Sequence, residues 1–176
     1  MELSMKNGTK YSIDLCKQEQ WDDAMELAFK VFLKYEAKQY GKEGTDNFAE
    51  FLTSPSLVKL FKAGRYVVYV ATIGKEIIGI ASFRSGNHIS LLFVDDRYHR
   101  QGIAKQLIKV IQNHLLETTD YTTVTVHSSP YGIPFYKSMG FVATDPKTKS
   151  CLYEYSLDDL KLVSDDLAQH MDGSMY

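Results

Sequence analysis

The sequence predicts an α/β fold: a mixed, mostly antiparallel sheet flanked by helices, in the order β-αα-βββ-α-β-α-ββ. Three observations carry this. The β-rich runs RYVVYVATI, EIIGIASF and HISLLFV follow one another across short turns, and strands joined so closely pair antiparallel. Apolar residues recur at three- and four-residue spacing before and after those runs, so helices flank them in sequence. Neither a G-x-G-x-x-G nor a G-x-x-x-x-G-K-S/T loop is present, which removes the doubly wound parallel folds that bind dinucleotides or nucleoside triphosphates.

The elements follow in order. KYSIDLC alternates apolar and polar residues and reads as the first strand. Trp21, Ala24, Met25, Ala28, Phe32 and Tyr35 form one apolar stripe and predict a helix. The two glycines of YGKEGT break it with a loop. Phe48, Phe51 and Leu52 mark a second, shorter helix, and Ser54-Pro55 punctuates before a further turn or so through Lys62. Gly74-Lys75 and RSGN are the turns of the three-stranded meander. The helix after Gly102 is expected to bury Ile103, Leu107, Ile111 and Leu115. TTVTVH is a strand. In SSPYGIPFYKSMGF, Ser129 predicts an N-cap and Gly140 a C-terminal stop. FVATD and SCLYEYSL close the fold as a hairpin. Residues 1–156 are expected to form one domain. The tail, 157–176, sets Leu157, Leu160, Val163 and Leu167 among Asp158, Asp159, Asp165, Asp166 and Asp172. It reads either as a short amphipathic helix, docked on its own domain or on a second copy as a homodimer, or as a frayed acidic end.

Composition narrows the function. With 44% hydrophobic and 24% charged residues over 176 positions, the chain has enough apolar material for a full core and is not disordered. A net charge of −2 supplies no basic field, which argues against nucleic acid or an anionic membrane as partner. Cys16 and Cys151 form no CxxC pattern, so no metal is expected and both read as free thiols of a reducing compartment. No run has the character of a signal peptide or the length of a membrane span. A cytoplasmic protein is the expectation.

The most informative stretch is FVDDRYHRQGIAKQLI, Phe93 to Ile108. An apolar strand runs through a charged turn to Gly-x-Ala and straight into an amphipathic helix. Glycine lets the backbone come close to a ligand. The first turn of a helix carries unpaired N–H groups and a partial positive charge. Together they make a cradle for an anion, most often phosphate.

With this order of elements and this turn, residues 10–156 resemble the GNAT family of N-acetyltransferases, and the domain 1–156 is then a GNAT acetyltransferase domain. The family motif, Arg/Gln-x-x-Gly-x-Gly/Ala, reads here His99-Arg100-Gln101-Gly102-Ile103-Ala104. His99 departs from Arg or Gln, though an imidazole can still donate a hydrogen bond. The resemblance implies acetyl-CoA as cosubstrate, its pyrophosphate held by the turn from His99 through Arg100, Gln101, Gly102, Ile103, Ala104 and Lys105. It implies that backbone at Leu92, Phe93 and Val94 pairs with the pantetheine arm, as exposed strand groups can pair with an extended ligand. Ser129 stands where many relatives carry an Asn on the pantetheine. In PFYKSMGF, Tyr136 matches a tyrosine that faces the coenzyme A sulfur, where a phenol can protonate the departing thiolate. Phe135 reads as a core residue.

An acceptor amine, with a pKa near ~10, must lose a proton before it attacks. His88 is the first candidate base. It precedes Val94 by six residues, a spacing similar to that of a base histidine in arylalkylamine N-acetyltransferases. Period two puts 88, 90, 92 and 94 on one strand face. His127, at the end of its strand, is the second candidate. Asp95 and Asp96 come third, and read also as caps of the turn or partners of Arg97 and Arg100. Glu36 and Tyr40 are substrate-side residues by family analogy. The implied reaction is direct transfer in a ternary complex, without metal or covalent intermediate, to a small-molecule amine or a protein amino group. Two alternatives stand beside it. A non-catalytic acyl-CoA sensor or interaction domain would keep the Gly102 turn without needing Tyr136 or His88. An acyltransferase for a longer acyl-CoA would need a roomier pocket.

Overall fold

A computed structural model describes residues 1–84, 86–147, 151–158 and 160. The chain falls into two compact units, Met1–Ile111 and Gln112–Tyr176.

The first unit carries β1 (Glu2–Ser4), β2 (Lys10–Leu15), β3 (Val67–Ile73), β4 (Glu76–Arg84) and β5 (His88–Val94). Each strand pairs antiparallel with the next. The meander β3–β4–β5 forms as predicted, with Ile73 facing Glu76 across the Gly74-Lys75 turn. β1 is an addition to the predicted order. It is three residues long and its one apolar residue, Leu3, is only half-buried, too little pattern to read.

Three helices follow β2: α1 (Trp21–Tyr35), α2 (Ala37–Leu52) and α3 (Pro55–Lys62). Here the structure corrects two expectations. The glycines of YGKEGT lie inside α2, where Gly41 (φ 71°, ψ −174°) kinks the helix instead of opening a loop. The stretch through Lys62 is a full helix of eight residues, with Pro55 in its first turn, where the missing N–H has no partner to lose. On one face of the sheet, Trp21, Ala24, Ala28, Phe32, Leu52 and Leu57 pack with Tyr66, Val68, Val70, Leu91 and Phe93. Against the other face lies the start of α4 (Ile103–Thr118). A Cβ on Gly79 would sit 3.2 Å from Leu107 and 3.4 Å from Ile103, so that position stays a glycine for close packing. Ile103, Leu107, Ile111 and Leu115 are all buried, as the stripe predicts.

β5 contains one residue more than β4 can pair. Ser82 faces Leu91 while Phe83 faces Ile89, which makes Ser90 a bulge. Residues 88, 90, 92 and 94 therefore do not share a face. His88 pairs with Arg84, on the side of Ser82, Leu91 and Phe93, and the alternation of the pleat turns Leu92 and Val94 the other way.

The second unit holds the end of α4, β6 (Thr123–His127), α5 (Ile133–Ser138), β7 (Val142–Ala143) and β8 (Leu152–Ser156). β8 pairs antiparallel with both β6 and β7, so the closing hairpin forms. Val124, Val126, Tyr136, Phe141 and Tyr153 are buried. Ser129 is not the N-cap of α5; Gly132 is. The Gly132 N–H donates to the Ser129 carbonyl at 3.0 Å and to its hydroxyl at 3.3 Å, so a separate turn precedes the helix. Gly140, with φ 93°, follows the helix as predicted. Of the expected tail, Leu157 is fully buried; Asp159 and residues 161–176 lie outside the described residues. No described helix is long and apolar enough to cross a membrane.

Candidate active site

The turn after β5 is built by local contacts. Asp95 is buried and opens a short 3-10 turn over Asp96–Tyr98. Its carboxylate accepts from the Arg97 backbone N–H at 3.0 Å and from the Arg97 guanidinium at 3.1 and 2.9 Å. The Arg97 side chain foremost, then the backbone bond, holds the Asp95 carboxyl below its usual range, against the opposing effect of burial. Arg97 also reaches Glu76. Asp96 pairs with Lys34 of α1 rather than with Arg100, and that bond lowers its carboxyl too. The Asp95 carboxylate serves the turn itself, and the Asp96 carboxylate ties the turn to α1.

His99 comes next, its Nε2 2.6 Å from the Val94 carbonyl oxygen and its ring centroid 5.2 Å from that of Tyr35. The imidazole expected to face a phosphate is thus engaged with the end of the strand. Arg100 has φ 61° and Gly102 φ 89°, both in the left-handed region. Among the described residues, its two chain neighbours aside, no heavy atom lies within 4 Å of where a Gly102 Cβ would be. Glycine is required there by the backbone angle, and the space in front of the turn is open. The Gln101 carbonyl accepts from Lys6 N–H at 3.4 Å, and its side-chain Oε1 from Asn7 N–H at 3.1 Å. The Gly102 carbonyl accepts from Gln106 N–H at 3.1 Å. Ile103, Ala104 and Lys105 therefore begin α4 with N–H groups that the helix itself does not pair. An open, positively polarised start to a helix fits a phosphate oxygen.

On the face of β4 and β5 toward α1–α3 lies a group that sequence reasoning missed. The Tyr66 hydroxyl is 2.7 Å from Ser82 Oγ and 2.6 Å from Ser90 Oγ, and the two serines are 2.8 Å apart. Burial pushes the Tyr66 phenol up, while Ser82, Ser90 and the charge of Arg84 draw it back. His88, half-buried, stands two residues before Ser90. Glu36 joins α1 to α2, and Tyr40 is exposed with its ring 5.6 Å from that of Phe32.

In the second unit, His127 ends β6, exposed and opposite Leu152. Ser128 and Ser129 are buried, and the Ser128 hydroxyl donates to the Ser129 carbonyl at 2.8 Å. Tyr136 is buried between two edge-on rings, Phe135 and Phe141, each 5.3 Å away. Burial, then the Glu19 charge, pushes the Cys16 thiol up to about 11, so it is protonated at neutral pH and a poor nucleophile. Among the described residues no group of three His, Cys, Asp or Glu is placed to hold a metal ion.

The comparisons bear on the family and the fold. The family model described as the acetyltransferase (GNAT) domain matches residues 36–151. A curated relative, the uncharacterized N-acetyltransferase YafP of Escherichia coli K12, is 30% identical over 90 residues, which are 51% of this chain and 55% of the relative. The match thus spans about half of that relative's length. Among solved structures, a GCN5-related N-acetyltransferase from Rhodopseudomonas palustris superposes with a TM-score of 0.71 at 16% identity, covering 89% of this chain and 98% of that one. The PaiA N-acetyltransferase from Thermoplasma acidophilum, solved with coenzyme A, gives 0.72 at 14% identity, covering 84% and 99%. A GNAT family acetyltransferase from Brucella melitensis, solved with acetyl-CoA, gives 0.58 at 12%, covering 83% and 87%. At these identities the structural likeness is one of fold.

Proposed function

The chain belongs to the GNAT family of acetyltransferases, and on that premise we propose that it is an enzyme that moves the acetyl group of acetyl-CoA directly onto an amine. The observation that carries this reading is the turn from His99 to Lys105. Its left-handed Arg100 and Gly102, its open foreground and the unpaired N–H groups at the start of α4 suit a pyrophosphate. Backbone at Leu92, Phe93 and Val94 would receive the pantetheine arm, and Ser129 is a further proposed contact.

Acetyl-CoA supplies an acetyl thioester. The residues of this chain supply the proton handling. His88, or His127 in its place, takes a proton from the amine. A backbone N–H of β5 donates to the carbonyl oxygen as charge develops there. Tyr136 returns a proton to the sulfur. One N–C bond forms, one C–S bond breaks, and no cysteine is acylated. Cys16, held protonated, supports a direct route over a two-step one.

The test is a melting-temperature titration with acetyl-CoA, free coenzyme A and ATP. A ligand that binds only the folded chain stabilises it by RT ln(1 + [L]/Kd). A rise with the first two and none with ATP is expected. No rise with any of the three overturns the reading.

A further inference from the structure

One face of the β4–β5 hairpin holds more chemistry than proton removal needs. Tyr66, Ser82 and Ser90 close a triangle of hydroxyls with sides of 2.6 to 2.8 Å. Each hydroxyl has one hydrogen and two lone pairs. Three hydrogens serve three sides, so the ring is complete within itself and keeps no hydrogen for a ligand. What it presents outward is a lone pair. Tyr66 and Ser82 are 2% and 0% exposed, whereas Ser90 is half-buried and is the member a ligand can reach. It stands there because of the bulge.

Arg84 ends β4 on the same face, in register with His88. It is exposed, and its guanidinium carbon lies 5.9 Å from the centre of the Phe51 ring. Stacking on an aromatic face limits where the guanidinium can go. Among the described residues no carboxylate pairs with it, whereas Arg97, Lys34 and Lys42 each have an acidic partner. The charge of Arg84 is felt at the Tyr66 phenol, which it draws downward, so the cation and the hydroxyl ring belong to one neighbourhood. The ring cannot donate to an anion and Arg84 cannot accept from an amine. The two poles call for opposite ends of one ligand.

We propose that the acceptor is an amine that also carries a carboxylate, the carboxylate pairing with Arg84 and the amine N–H groups turning to Ser90 Oγ. This rests on the acetyl-transfer reading and adds the substrate class to it. An amino acid is the smallest molecule of this kind. A guanidinium offers a carboxylate two parallel N–H bonds, which a lysine cannot reproduce.

The experiment compares initial rates of thiol release from acetyl-CoA with matched acceptors: standard amino acids, their carboxamides, and the corresponding amines without the carboxyl group. Melting temperatures with acetyl-CoA are recorded on the same preparations. For wild type, kcat/KM for the best carboxylate acceptor should exceed that of its carboxamide by about tenfold or more. In Arg84→Gln the loss on the carboxylate acceptor should exceed the loss on the matched amine by a similar factor and appear mainly in KM, with Arg84→Lys recovering part of it. Equal use of the three classes, or an equal loss on all of them in Arg84→Gln, overturns the proposal. So does a wild type that accepts none of them while acetyl-CoA still raises its melting temperature; the cofactor reading then stands alone. Absence of any acetyl-CoA shift removes the parent reading and this one with it.

Discussion

His99 Nε2 lies 2.6 Å from the carbonyl oxygen of Val94, which ties the end of β5 to the turn five residues later. The family's Arg or Gln is absent at this position, and its substitute bonds through Nε2 to the end of the strand. His99→Ala loses this bond and the Tyr35 ring contact. Stability should fall by about 1 kcal/mol, and the KM for acetyl-CoA should rise several-fold with kcat little changed. Steady-state kinetics at saturating acceptor check it. A fall in kcat at constant KM would assign His99 to the chemistry instead.

Gly102→Ala tests the backbone angle. Among the described residues the new methyl meets no atom within 4 Å beyond its chain neighbours, so the expected effect is the strain of φ 89°. About 1–2 kcal/mol of stability should be lost, and coenzyme A should recover less of the melting temperature than it does for wild type. Gly102→Asn, which tolerates this region better, should lose less.

Asp95→Asn should have a pH signature. The folded-state carboxyl sits below its usual range, so its contribution is full above the unfolded value near ~3.9. It is lost as pH falls through the lower folded value. The melting-temperature gap between wild type and Asp95→Asn should be flat above about pH 5 and narrow below about pH 4. A gap unchanged in acid would show that packing, not charge, is what the substitution removes.

Tyr66→Phe takes one member from the hydroxyl ring and leaves Ser82 and Ser90 bonded to each other at 2.8 Å. The expected loss is about 1 kcal/mol by urea unfolding. Ser82→Val leaves the Tyr66 phenol bonded to Ser90 at 2.6 Å and should lose more only because it forces an extra methyl into a fully buried position.

Tyr136→Phe keeps the ring between Phe135 and Phe141. With a thiolate as leaving group the acid step is worth the lower end of its usual range, so kcat should fall by about 10²-fold. An unchanged kcat would return Tyr136 to a packing role.

The meander and the α4 stripe were legible because their periods and turns agree. Gly74-Lys75 allows only a tight hairpin, and Ile103, Leu107, Ile111 and Leu115 mark one helical face. α2 misled because two glycines in six residues look like a loop, yet only Gly41 leaves helical angles, and the aromatic packing of Phe48 on Phe32 and Phe93 lies beyond it. The glycine turn was readable from Gly102 and its setting; the bond from His99 to the end of β5 was not, because its partner is a main-chain oxygen. Ser90 was hidden most deeply. Leu91, Leu92, Phe93 and Val94 are all apolar, so no alternation remained from which to see a skipped pairing, and the hydroxyl ring depends on that skip.

The bulge at Ser90 also has a meaning for the gene. Because Ser82 already faces Leu91 and Phe83 already faces Ile89, an in-frame loss of the Ser90 codon would leave every other rung of the β4–β5 ladder opposite its present partner. Descent could thus add or discard this hydroxyl by a single three-nucleotide event, with no need to rebuild the sheet around it. A deletion, rather than a substitution, is the short route by which a sister lineage would part from this one on this face of the sheet.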